Sequence, residues 1–188
     1  MECLNGFESD PVLQTLDCQY ATFVVEYAPG PRKNAPAPLA ERQDATKALG
    51  AHQRVDNLNF VSLGYGGSLT LGFSCVIFDK PGNDLEIVET SFGPQTCNLY
   101  PERARVDGSL DLVNWFTIGE VCLDGFLDLN GKGPIQYIRI TDISNPANFG
   151  NGNNQDGYDV DGVVVTQPGC LSSSARFAQN EGVTQIVT

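Results

Sequence analysis

The chain has 188 residues, 41% of them hydrophobic, with 11 Lys+Arg against 23 Asp+Glu and a formal net charge of −12. That size and apolar content fit one large folded domain with its own core, and exclude a disordered chain. The acid excess repels phosphate backbones and anionic bilayers, so neither nucleic-acid binding nor membrane insertion is expected; no apolar run approaches the roughly 20 residues of a span.

Residues 1–19 read as an N-terminal disulfide-linked segment. Its start, Met1-Glu2-Cys3, looks like an initiator placed on a mature or excised fragment. The stretch 22–27 (TFVVEY) is β-branched and aromatic and predicts a strand. A Pro-rich connector, 28–38, cannot be a central strand. The best helix signal is 38–49 (PLAERQDATKAL), a turn or two long and closed by Gly50.

Beyond it, strands and turns alternate. A strand at 60–63 meets the turn Gly64-Tyr65-Gly66-Gly67, then 68–73 (SLTLGF) places Leu69, Leu71 and Phe73 on one face. Further strands are expected at 75–78, 85–91, 104–106, 115–118, 135–141 and 158–166, with the turn Asp79-Lys80-Pro81-Gly82-Asn83 between the first two and a hairpin turn at Asn130-Gly131. Short strands punctuated by Gly, Pro, Asn and Asp predict an all-β fold: a sandwich or jelly roll over 20–171 with at most one short helix. Residues 172–188 read as a tail or edge strand, with a last strand at 182–187.

Six cysteines at wide spacing, with no CxxC pair and a single histidine, argue for a disulfide framework in an oxidising compartment and against zinc. Loop closure suggests Cys3–Cys18, Cys75–Cys97 and Cys122–Cys170, although the sequence alone does not choose the pairing. The location that follows is extracellular, at a cell surface.

The acidity has two readings: solubility, or carboxylates neutralised by a hard cation. The segment Asp156-Gly157-Tyr158-Asp159-Val160-Asp161-Gly162 is where the second is sharpest. In a regular strand Asp159 and Asp161 share a face with Val163 and Val165, and two carboxylates so placed repel unless neutralised. Ca²⁺, which takes several oxygen ligands, is the expected cofactor; the spacing is not that of an EF-hand. The alternative is a hydrophilic turn entering a strand. Glu89 falls in line with Leu85 and Ile87, so it needs a partner, either Arg139 or a cation. Asp84, Asp142 and Asp156 complete the candidate metal ligands.

Catalytic signals are sparse. His52 is the one available imidazole, and no nucleophile elbow or phosphate-binding loop is present. A pair of carboxylates leaves a glycoside hydrolase as the lesser option. Trp115, Tyr65, Tyr100, Tyr158 and Phe149 lie near loops and form a candidate sugar platform, with Trp115 read first as a core residue.

Three segments carry a resemblance: 60–73 (FVSLGYGGSLTLGF), 79–89 (DKPGNDLEIVE) and 157–163 (GYDVDGV). In that order they resemble the signature segments of bacterial secreted cell-surface β-sandwich domains, including exported proteins of the Bacteroidetes type. Leu49-Gly50-Ala51 resembles a further segment, which in the family continues with Pro-Asp where this chain has His52-Gln53. The family is similar to jelly-roll carbohydrate-binding and adhesion modules. By matched position the resemblance implies a structural calcium near Asp84, Glu89, Asp159 and Asp161, and implies no ligand.

The expectation is therefore a calcium-stabilised extracellular binding or adhesion module that recognises a glycan or a cell-surface protein, and not an enzyme. The alternative is a structural or assembly domain docking to a secretion or adhesion complex. Oligomeric state stays open.

Overall fold

In a sandwich each strand buries one side, so the alternation of side chains decides what reaches the core. The computed structural model describes residues 18–53, 58–91, 96–149 and 155–168. Nine strands are described: β1 Phe23–Ala28, β2 Val61–Ser62, β3 Ser68–Ile77, β4 Leu85–Glu89, β5 Arg103–Ser109, β6 Trp115–Cys122, β7 Gly125–Leu127, β8 Ile135–Asp142 and β9 Asp159–Val165. They form two antiparallel sheets, β1-β3-β8-β5-β6 and β2-β9-β4-β7. The all-β sandwich expected from the sequence is the fold observed.

Leu69, Leu71 and Phe73 of β3 share one face, and all three are fully buried. They meet Ile138 and Ile140 of β8 and Ala104 and Val106 of β5 from their own sheet, and Leu85, Ile87, Val160, Val163 and Val165 from the other. Each such side chain, moved from water to this interior, contributes about 2 kcal/mol before entropy is set against it.

The helix signal at 38–49 resolves into two 3₁₀ turns, Ala40–Arg42 and Ala45–Ala48. Asp44 caps the second by accepting from Thr46 N. This turn packs on β9, β1 and β2, with Ala48 fully buried. The turn at Gly64-Tyr65-Gly66-Gly67 is required by close packing: a Cβ on Gly30, Gly64 or Gly67 would collide with facing backbone. Gly30 N donates to Leu63 O and Tyr65 N to Pro31 O, so the two chain segments interlock. Asn130 and Gly131 do form a turn, both at positive φ (53° and 75°), but not the expected hairpin: the strands on either side, β7 and β8, belong to different sheets, so the turn carries the chain from one sheet to the other.

The disulfides differ from expectation. Cys18 bonds to Cys75 and Cys97 to Cys122, with Cα–Cα distances of 5.7 and 5.8 Å. Closing the shortest loops misled the assignment, because the sheets bring chain-distant strand ends together. Cys3, Cys170 and the strand expected at 182–187 lie outside the described residues.

Candidate functional site

Antiparallel order gathers the end of β4, the start of β5, the end of β8 and the start of β9 at one end of the sandwich. Glu89, Glu102, Asp142, Asp156 and Asp159 all sit there, and each is at most 8% exposed. Asp156 Oδ1 accepts from Arg42 Nη1 at 2.9 Å, and the same nitrogen lies 4.0 Å from Asp159 Oδ2. Ser62 Oγ donates to Asp159 Oδ1. Ser91 Oγ donates to Glu89 Oε1 at 2.7 Å, and Glu89 and Glu102 share a hydrogen bond.

Burial pushes the Glu102 carboxyl far above the usual range, and the charges of Asp159 and Glu89 push it further. Burial also raises Asp159, with Asp156 adding to it. Glu102 thus holds a proton that Glu89 accepts in a hydrogen bond. Asp156 Oδ2 is buried with no hydrogen-bond partner.

The six expected ligands separate. Glu89, Asp156 and Asp159 come together, joined by Glu102, which the sequence reading missed because it stands alone between Pro101 and Arg103. Asp142 serves the neighbouring loops: it accepts from Gly66 N, Ser144 N, Ser144 Oγ and Tyr158 N. Asp161 takes Gln53 N on both oxygens at 3.1 Å. Asp84 lies at the opposite end of β4, where it accepts from Lys80 N and Leu129 N. Among the described residues one set of three carboxylates brings oxygens within 4.8 Å of one another, and it is Asp79, Asp84 and Asp128 at that far end.

Asp159 and Asp161 do not share a face with Val163 and Val165. Glu89 pairs with Val160 and Val88 with Gly162, so Asp161 is an extra residue in β9. This bulge reverses the alternation, and Val160 and Val163 both enter the core. Nor do Glu89 and Arg139 pair: Arg139 is on the other sheet, 3.6 Å from Asp107 and 4.3 Å above the Trp115 ring.

That contact opens onto a second surface, the outer face of the five-stranded sheet. The registers align three ranks across it. The first is Phe23, Gly72, Tyr137, Ser109, Trp115; the second is Glu26, Thr70, Arg139, Asp107, Thr117; the third is Ala28, Ser68, Thr141, Arg105, Glu120. Five strands span about 19 Å. The tip of the Phe23 ring fills the space a Cβ on Gly72 would take, and meets Tyr137 edge-on with centroids 6.2 Å apart. Phe23 is 39% exposed, and Tyr137 and Trp115 are half-buried.

Trp115 is therefore a surface residue, with Nε1 bonded to Leu112 O. Tyr158, Phe149 and Tyr65 of the expected sugar platform are buried instead, while Tyr100 is half-buried against Phe149. The aromatic rank was hidden in the sequence because its three members lie on three strands far apart in the chain.

No protein-family model and no curated protein sequence matches the chain. Among solved structures it is similar to the family 32 carbohydrate-binding module of EndoD from Streptococcus pneumoniae. The TM-score is 0.53 at 11% identity, over 80% of this chain and 99% of that one. It is also similar to CBM32-1 of a family 31 glycoside hydrolase from Clostridium perfringens, with a TM-score of 0.45 at 12% identity over 73% and 89%. A third is the lectin domain of lectinolysin complexed with Lewis B antigen, with a TM-score of 0.42 at 10% identity over 70% and 89%. The first of these likenesses shows the fold: an all-β sandwich shared with that module.

Proposed function

We propose that the chain is a non-catalytic glycan-binding module of an exported surface protein, and that its ligand lies across the outer face of the five-stranded sheet. One observation carries this: an aromatic rank, Phe23–Tyr137–Trp115, runs beside two ranks of Thr, Ser, Arg, Asp and Glu. A pyranose has an apolar C–H face and a hydroxyl rim, so it buries one against aromatic rings and bonds the other to polar side chains. The module fold of the S. pneumoniae neighbour supports the reading. The two disulfides support an extracellular setting.

Isothermal titration against a panel of soluble polysaccharides tests it. A Trp115→Ala/Tyr137→Ala double variant with an unchanged melting temperature should lose at least tenfold in affinity. No binding by the wild type to any member, or equal binding by the double variant, overturns the reading.

Calcium belongs to this reading as a brace at the loop end rather than as a sugar contact. Glu89, Asp156 and Asp159 would hold it, with Glu102 beside them; the donors are all oxygen, as a hard cation requires. The crowding of acids supports it, since Asp156 and Asp159 share the Arg42 guanidinium while Glu89 and Glu102 share a proton beside them, and so does Asp156 Oδ2, buried without a hydrogen-bond partner. EDTA should lower the melting temperature, and Ca²⁺ should restore it. An unchanged melt, together with no calcium by elemental analysis, removes the cation from the account.

A further inference from the structure

We infer that the glycan is acidic, and that Arg105 and Arg139 recognise its carboxylate or sulfate groups. This rests on the sheet-face reading and names the ligand class for the same surface.

Asp107 is the anion at the centre of the polar ranks. Its Oδ1 accepts from Thr117 Oγ at 2.7 Å, and its Oδ2 meets Arg105 Nε at 3.2 Å and Arg139 Nη2 at 3.6 Å. Two guanidiniums thus share one carboxylate, leaving positive charge over. Arg105 and Arg139 keep 43% and 33% of their side-chain surface exposed. Arg103 is exposed two residues before Arg105, hence on the same face. The β8–β5–β6 half of the face therefore carries Arg103, Arg105 and Arg139 against Asp107 and Glu120, with Glu26 on the far β1 side. In a chain of net charge −12 that local excess of cations is a charge complement to an anionic ligand.

The groups are also suitably built. A guanidinium presents a planar fork of donors that matches carboxylate and sulfate oxygens. The Arg139 guanidinium carbon sits over the Trp115 ring, 4.3 Å from its centroid, which limits its freedom before any ligand arrives. Tyr137 and Arg139 are two residues apart on one face of β8, about 7 Å along the strand. A sugar resting on Tyr137 brings a ring substituent to Arg139.

The experiment is titration of the wild type, Arg105→Gln, Arg139→Gln and Trp115→Ala/Tyr137→Ala with four probes. Polygalacturonate supplies carboxylates, dextran sulfate supplies sulfates, and galactomannan and mixed-linkage β-glucan are neutral. The wild type should prefer one of the acidic polymers at least tenfold over the neutral pair, and rising salt should weaken that binding. Each Arg→Gln variant should lose at least tenfold for the acidic polymer. Which acidic probe binds decides between carboxylate and sulfate. If Arg139→Gln does not fold, Arg105→Gln carries the comparison.

Neutral glycans binding as well as acidic ones, or both Arg variants binding acidic polymer like the wild type, overturns the inference. If Trp115→Ala/Tyr137→Ala still abolishes binding in that case, the glycan reading stands without it. Binding to none of the four probes defeats the acidic class, whereas the glycan reading falls only if the wider panel is also silent.

Discussion

Glu102 shows what one residue does when desolvation outweighs ionisation. Its proton is bound in the folded chain well above the ordinary carboxylate range, and released in the unfolded chain near the usual 4.5. From about pH 4.5 upward the folded state therefore holds a proton that the unfolded state lacks, and stability falls as pH rises. In calcium-free buffer the melting temperature should drop between pH 5 and pH 8. Glu102→Gln, neutral throughout, should make that slope shallower, leaving the part due to Asp159 and Glu89, and raise stability at pH 8; thermal melts across the range check it. Asp142 is also raised by burial, but its four hydrogen bonds work against that shift and tie three loops together. Asp142→Ala strands the buried Tyr158 N and the Gly66 amide, and should cost about 3 kcal/mol in urea unfolding.

At the scale of elements, cross-links and registers set what the loops can do. The Cys97–Cys122 bond closes a separation of 25 residues and fastens the segment before β5 to the end of β6. Replacing both cysteines by serine should lower stability by about 3 kcal/mol, read from denaturant midpoints. Gly72→Ala is a second probe. The new methyl must displace the Phe23 ring, so the Phe23–Tyr137 contact should vanish from aromatic NOEs while the core side of β3 is undisturbed. The same registers explain what was legible in the sequence. Leu69, Leu71 and Phe73 announced β3 because alternation there is unbroken over the apolar stretch. The β9 faces were misread because a bulge adds a residue without leaving a compositional mark, and period-two reasoning then places every later side chain on the wrong side. Charge alone makes Arg139 one of two candidate partners for Glu89, the other a cation; its actual neighbours, Asp107 and Trp115, follow only from strand order. Of the buried acid group, Asp156, Asp159 and Glu89 stood out in motif-like segments, while Glu102 had no such context.

For the whole molecule, charge and architecture act together. A net charge of −12 makes the folded state self-repelling, so raising ionic strength from low to physiological levels should raise the melting temperature. The same salt weakens attraction between the arginine-bearing face and an acidic polymer. Stability and affinity should therefore move in opposite directions along one salt series, a pattern that a loss of folding cannot imitate.

The aromatic rank has one more property. It begins on β1 and ends on β6, the two edge strands of its sheet. Among the described residues no strand continues the sheet past either margin, so a polymer lying on the row would enter at one side and leave at the other. Such a surface grips the interior of a chain and ignores its terminus. Affinity for a series of oligosaccharides should then climb with length until the row is covered and level off thereafter, and capping the reducing end should change nothing.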